Sequence, residues 1–348
     1  MFKFSIGFNG DRGFRQLIDK YREHVADIYF SPPFTPSGRG LRGNVGEYVY
    51  SLVLHEFLQF ARDTGMETNL LLNALCVAGK YGSKQQASLV LNAVQFHARN
   101  YGTKSVTVVS PIDGQLIRRH FPDIKIHASV NLFIRNVAQA RRVADFSDVL
   151  ILDRNVNRDL RLIEQIKKDS GKHVRLLANE SCILECMNRI QHFNRIAHDI
   201  VPMTGRHLPC TARYFSDKAT LLKAPIIRPE DLHHYEGVVD TMKLATRNTP
   251  NHKLELALQA YTSGSFGGNL FDITESNGMA AYLLTSKERT NGTSEPYLDN
   301  SKIPDDFFEH VTQCDFACDA CGYCERVAAE AFRMEPISRR PADVPRTA

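Results

Sequence analysis

With 348 residues, 43% of them hydrophobic, the chain is long enough to bury one large α/β core with an appendage, or two domains, and bulk disorder is excluded. Its 43 basic and 39 acidic residues leave a formal charge of +4, so a modified RNA substrate is permitted but not indicated. No apolar run reaches the ~18 residues of a membrane helix, and the opening MFKFSIGFNGDRGF carries no signal-type segment, so a cytoplasmic protein without a membrane partner is expected.

Strand-like and helix-like runs alternate from the start, the pattern of β/α units around a parallel sheet. Residues 2–8 read as a strand, Asp11 can cap a helix to about residue 24, and 26–30 form a second strand. The Ser31-Pro32-Pro33 that ends it opens a Gly/Pro/Arg loop through Gly40, long enough for a lid or binding loop. Apolar spacing at Val49, Leu52, Leu54, Phe57 and Phe60 predicts a helix over 48–62, and a strand at 68–73 runs into Cys76. The rhythm then becomes regular. Helices over 85–100, 114–121, 135–144 and 157–169 alternate with strands over 105–109, 125–129, 148–152 and 173–178. An insertion over 188–235, with a short strand-like run at 225–228, precedes an eighth strand at 240–245 and a last helix at 253–261.

The expected fold is therefore α/β, an eight-stranded β/α (TIM-like) barrel over 1–265, with a doubly wound open sheet as its competitor. After a Gly/Ser-rich hinge at 262–269, residues 301–334 read as a small C-terminal cysteine-rich appendage ending in an amphipathic helix over 325–334, and 336–348 as a disordered tail.

Barrel chemistry gathers at the C-terminal strand ends. Here those ends carry Asn73 and Cys76, Ser110 and Asp113, Asn131, Asp153 and Asn155, and Asn179 and Glu180, half or more of which are expected to be caps and turns. The stretch from Leu176 to His198 is the densest, with Glu180, Cys182, Cys186, Arg189, His192 and His198 following one strand. Three residues between Cys182 and Cys186 place them on adjacent turns of a helix start, where they can hold one metal or cluster; two buried, inert thiols are the alternative.

In a reducing compartment the eight cysteines are expected to include metal or cluster ligands rather than a disulfide framework. Cys314, Cys318, Cys321 and Cys324 lie with three, two and two intervening residues, a spacing that suits a 4Fe-4S cluster, with structural zinc as the alternative. Cys76, Cys182, Cys186 and Cys210 make a second four that can meet at the barrel mouth, although Cys76 also suits strand-end packing.

Several ordered stretches resemble the peptidase U32 family, the collagenase-like proteases. Arg228-Pro229-Glu230-Asp231-Leu232 and then Gly237-Val238-Val239-Asp240-Thr241-Met242-Lys243-Leu244-Ala245-Thr246-Arg247 are similar to its "DL … GVD … K(I/L)-x-G-R" signature, with Thr246 where glycine is usual. Asn157-Arg158-Asp159-Leu160 is similar to the helix after its sixth strand, and Asn179-Glu180-Ser181-Cys182 to the opening of its cysteine-bearing segment. The likeness covers about residues 100–265, and the N-terminal third only in outline. It implies a cluster-bearing protein of the kind used in dioxygen-independent hydroxylation, in ubiquinone biosynthesis and RNA base modification. By that resemblance Cys182, Cys186 and Cys210 are 4Fe-4S ligands with Cys76 as a proposed fourth; the C-terminal four cysteines depart from the simplest family pattern, and a second cluster is expected there from their spacing.

The leading expectation is an iron-sulfur enzyme acting by redox or hydroxylation chemistry on a small organic substrate, with a protein electron donor as a further partner. Glu180, Asp153, Asn131, Lys243 and Arg247 would position the substrate and move protons, with His192 or His198 as a relay. Lys243 and Arg247 serve equally well in a structural ion network, and the two histidines, six apart, do not share a helix face. A peptidase is the second expectation, although the chain has no Gly-x-Ser-x-Gly, no His-Glu-x-x-His and no cysteine evidently paired with a base. A non-catalytic electron-transfer or scaffold partner is the third.

Overall fold

The fold is taken from a computed structural model, which describes residues 1–32, 47–197, 209–275 and 294–336, the side chains of 47, 195, 196 and 209–212 excepted. The candidate lid at 35–40, His198, the tail from 337 and the Cys210 side chain lie outside the described residues.

Eight parallel strands close into a barrel in sequence order: β1 (Phe4–Gly7), β2 (Val25–Phe30), β3 (Thr68–Leu72), β4 (Ser105–Val108), β5 (Lys125–Ala128), β6 (Val149–Ile151), β7 (His173–Leu177) and β8 (Thr241–Leu244). Closure is made by β8 lying beside β1, with Lys243 opposite Ser5, and the open-sheet alternative is thereby excluded. Around the barrel run α1 (Phe14–Lys20), α2 (Glu47–Thr64), α3 (Lys84–Tyr101), α4 (Pro111–His120), α5 (Val137–Ala144) and α6 (Leu160–Ser170). Short polar side chains start several of them. Ser83, Ser110, Asn136 and Asp159 each accept a hydrogen bond from the backbone N–H three residues on, so Ser110 is a cap.

Strand alternation sorts the barrel into two environments. Phe4, Ile6, Ile28, Phe30, Leu70, Val106, Ile126, Leu150, Leu176 and Leu244 face outward and join the helices in one continuous core. The opposite faces point inward and are unusually polar. Ser5 Oγ donates to Asp27 Oδ1 at 2.6 Å, Arg175 pairs with Asp27 at 2.7 Å, and Arg175 Nε donates to Thr241 at 2.8 Å. Beside them Asn69 donates to Ser105 at 2.8 Å and accepts from Thr107 at 2.6 Å. A small apolar cluster of Val130, Val149, Ile151, Leu177 and Ala245 lies above this layer.

The insertion forms α7 (Arg189–Ala197), α8 (Pro209–Ser216), α9 (Thr220–Lys223) and a 3-10 turn over Pro229–Tyr235. Residues 225–228 are not a strand; Ile227 N instead makes one bond to Ala178 O, at 2.8 Å, tucking this segment under the end of β7. After β8 come α10 (Asn251–Ser263) and α11 (Leu270–Ile273).

The cysteine-rich region contains β9 (Ser294–Leu298), α12 (Phe307–Thr312), α13 (Cys318–Cys321), α14 (Tyr323–Ala331) and β10 (Phe332–Pro336). The helix expected over 325–334 ends at Ala331 because Phe332–Pro336 pairs antiparallel with β9. That pairing satisfies the backbone, buries Phe332, and lays Arg333 over the Tyr297 ring at 3.7 Å. Phe307, Phe308, Val311, Val327, Ala328 and Ala331 belong to the same apolar core as the barrel and its helices, and Phe308 stacks on His234 at 3.9 Å.

Candidate active site

A cleft opens at the C-terminal ends of the strands, walled by Tyr29, Asn73, Asn131, Arg154, Glu180, Lys243, Thr246, Arg247 and Glu275, with Leu71, Val130, Leu177 and Phe193 between them. Gly7 makes room for part of this wall. A Cβ there would lie 2.6 Å from Arg247 Cγ and 2.8 Å from the Tyr29 ring, so only glycine lets both side chains reach the cleft. Tyr29 is fixed by donating from its hydroxyl to Leu244 O at 2.7 Å, and Arg247 by donating to Ser31 Oγ at 2.7 Å. Lys243 projects inward from β8, and its Nζ lies 3.3 Å from the centre of the Tyr29 ring.

The opposite wall is an ion-pair network. Arg154, in the 3-10 turn after β6, pairs with Glu180 after β7 and lies over the Phe193 ring at 5.5 Å. Glu275 is brought beside Glu180 by a parallel bridge in which Glu275 N donates to Asn179 O at 2.9 Å and Ser181 Oγ donates to Glu275 O at 2.7 Å. Asn131 sits after β5, where Ser129 caps the turn, and its Oδ1 has no hydrogen-bond partner among the described residues.

Burial dominates the charge states around the barrel axis. Desolvation pushes the Lys243 amine well below its usual range, and the Arg175 and Arg247 guanidiniums push the same way against Asp27. Burial alone would raise the Asp27 carboxyl, but Arg175, His127, Ser5 and Lys243 outweigh it and hold it at about 2. His127 is driven well below its usual value by burial and by Arg175; Asn69 Nδ2 lies 3.0 Å from its Nδ1, as suits a neutral ring accepting there.

Of the residues anticipated from sequence, Asn131, Glu180, Lys243 and Arg247 come together on the cleft wall. Asp153 does not. It is fully enclosed, binding Arg135 at 2.7 Å and Arg189 at 3.5 Å and capping Asn155 N at 2.9 Å, which makes it a brace behind the wall. His192 lies on α7, half-buried and parallel to the Phe193 ring at 5.6 Å; only Phe193 reaches the cleft. Arg154, Tyr29 and Glu275 were missed as site residues. Arg154 and Tyr29 had a signal in their positions at strand ends, whereas Glu275 lies 95 residues beyond Glu180 and had none.

Cys182 and Cys186 lie in turns rather than on a helix start, because α7 begins only at Arg189. Glu185 adopts a left-handed conformation (φ 46°) and turns the chain between them. The Cys182 thiol is pushed up to about 12, first by its hydrogen bond with Cys186 and then by burial, with Arg154 and Arg189 opposing. Two thiols thus meet in the loop that follows Glu180 of the cleft wall, which fits half of a four-cysteine site. Cys76 is half-buried near Tyr81. At the C-terminus burial, and then the nearby Cys314, push the Cys318 thiol up; burial, with Cys314 and Cys318 adding to it, does the same to Cys324, and Phe316 N donates to Cys314 Sγ at 3.3 Å. The donor set there is chemically complete for a cluster or for zinc, although among the described residues no three His, Cys, Asp or Glu side chains converge as a closed metal site.

No family model matches the chain. It is 24% identical over 335 residues to the uncharacterized protease MJ1657 of Methanocaldococcus jannaschii, a match covering 92% of this chain and 93% of that protein. The solved structure of the U32 peptidase Mk0906 superposes with a TM-score of 0.55 at 14% identity, covering 72% of this chain and 95% of the other, and supports the barrel fold. No described helix is long and apolar enough to cross a membrane.

Proposed function

We propose that the chain is an iron-sulfur enzyme of the U32 kind, performing redox or dioxygen-independent hydroxylation chemistry on an organic substrate in the cleft. The observation that carries this reading is the Cys182–Cys186 thiol pair, flanked by Arg154 and Arg189 and two residues past Glu180 on the cleft wall. Cys182, Cys186 and Cys210 would hold a 4Fe-4S cluster there, with Cys76 as fourth ligand, and Cys314, Cys318, Cys321 and Cys324 a second cluster or a zinc ion. A bound cluster supplies electron transfer or Lewis acidity at an open iron. The chain's own residues bind and orient: Arg247 attracts an anionic group, Lys243 stands beside it on the same wall, Asn131 offers an acceptor oxygen with no partner among the described residues, and Leu177 and Phe193 limit water.

A peptidase reading is favoured by the Methanocaldococcus jannaschii relative, named as a protease. Against it, no Ser, Cys or His lines the cleft wall among the described residues, so no Ser–His or Cys–His pair is formed there. Anaerobic purification with iron and sulfide analysis tests the proposal, alongside a general peptide-hydrolysis assay. Broad absorbance near about 400 nm with iron bound supports it; a metal-free protein that cleaves peptides would replace it with the second reading.

A further inference from the structure

We propose that Lys243 is a nucleophilic amine that forms an imine with a small carbonyl compound bearing a carboxylate, such as an α-oxo acid. This deepens the reading of the cleft as a substrate site and is independent of any cluster.

Position comes first. Lys243 points into the barrel from β8, is 8% exposed, and that exposure opens on the cleft. No carboxylate holds its ammonium among the described residues. Asp27, the nearby acid whose charge acts on it, is already engaged by Arg175 at 2.7 Å and Ser5 at 2.6 Å. The contact made by Nζ is the Tyr29 ring face, which accepts an N–H from a neutral amine as well as attracting a cation.

The surroundings favour the neutral form. Arg175 on β7 and Arg247 just after β8 both oppose a third positive charge, and burial acts in the same direction. A buried lysine beside other cations is the arrangement that activates an amine for attack on a carbonyl.

The same cations choose the ligand. Arg247, four residues from Lys243 on the wall, suits a carboxylate adjacent to the carbonyl, and Asn131 Oδ1 offers an acceptor for a hydroxyl. In the reaction a C–N bond forms as Nζ attacks the carbonyl carbon. Both C–O bonds of that carbon then break, and the oxygen leaves as water with the two amine hydrogens, so no oxidant or reductant is consumed. Borohydride-type reagents reduce the resulting C=N bond to a stable secondary amine.

The test is reductive trapping of the full-length protein with glyoxylate and cyanoborohydride, read by peptide mass spectrometry. Each unit by which an amine's pKa falls raises its neutral fraction about tenfold. Lys243 should therefore be modified at least about tenfold faster than exposed lysines such as Lys125. A folded Lys243→Arg protein should lose that fast label while surface labelling continues. In Arg247→Met, fast labelling by glyoxylate should fall while labelling by acetaldehyde, which lacks the carboxylate, is retained. Labelling of Lys243 no faster than the surface lysines overturns the proposal. Equal loss with both aldehydes in Arg247→Met overturns the carboxylate assignment. Fast labelling of an iron-free protein would leave this inference standing and remove the cluster reading, whereas bound iron without Lys243 labelling does the reverse.

Discussion

Two turns of the molecule share one spacing, Cys182-x-x-x-Cys186 at the barrel mouth and Cys314-x-x-x-Cys318 at the C-terminus, and each contains a non-glycine residue in the left-handed region, Glu185 (φ 46°) and Phe316 (φ 67°). Such a backbone costs about 1 kcal/mol and persists where the surroundings enforce it. The surroundings differ. Glu185 is held by Arg135 at 3.2 Å and by Asn155, and Arg189 closes over the turn by donating to Ile183 O at 3.0 Å; these residues come from the loop before α5, the 3-10 turn after β6 and the start of α7, and rest on enclosed Asp153. Phe316 and Cys314 are exposed, and the bonds shaping that turn, Phe316 N to Cys314 Sγ and Ala317 N to Asp315 at 3.0 Å, are local. The mouth turn is a product of the fold, and the C-terminal turn of its own sequence.

The sharpest way to break this contrast is to remove the charge beneath the mouth. Arg154→Met leaves Glu180 enclosed without its ion-pair partner, and a broken buried pair costs about 3–5 kcal/mol. Chemical denaturation should show a loss of that size, with altered reactivity at Cys182 and none at Cys314. A loss below about 1 kcal/mol would mean the network is not structural.

The polar layer under the mouth gives a smaller, pH-dependent effect. Asp27 is depressed from 3.8 to about 2, so its stabilisation is complete above the unfolded value and disappears as pH falls through the folded one. The shift corresponds to about 2 kcal/mol, lost between about pH 4 and about pH 2. Denaturation across that window should show the loss in the natural chain and not in an Asp27→Leu/Arg175→Leu double variant.

The smallest effect is expected at the appendage. Lys223 bridges Asp217 and Glu325 at 3.4 and 2.5 Å, but Glu325 is 45% exposed, so Lys223→Ala should cost no more than about 1 kcal/mol. Thermal denaturation with a larger loss would show that this ion pair, rather than the apolar contacts of Phe308 and Val327, secures the C-terminal region.

The same contrast explains what could be read from sequence. Barrel strands were legible because short strand-like runs alternating with helical apolar spacing are local signals, and the C-terminal cysteines because their ligands span eleven residues. The end of α14 was not, since the strand over Phe332–Pro336 depends on a partner at Ser294–Leu298. Strand-end position brought Asn131 and Glu180 into view, and the eighth-strand stretch that resembles the U32 signature brought Lys243 and Arg247. It could not separate Asp153, a brace, from its neighbour Arg154 on the wall, because only packing decides which side chain of a turn faces the cleft. The Glu180–Glu275 bridge required a contact across 95 residues, which no local pattern encodes.

The most direct test of the central claim is iron and sulfide content, with turnover, in anaerobically prepared natural, Cys182→Ser and Cys318→Ser proteins. Two 4Fe-4S sites give about eight iron atoms per natural chain. Replacing Cys182 should open or empty the mouth cluster and abolish turnover while the C-terminal cluster survives, and replacing Cys318 should weaken the distal cluster and leave some turnover. Zinc in place of iron throughout, or full turnover in Cys182→Ser, would contradict the account.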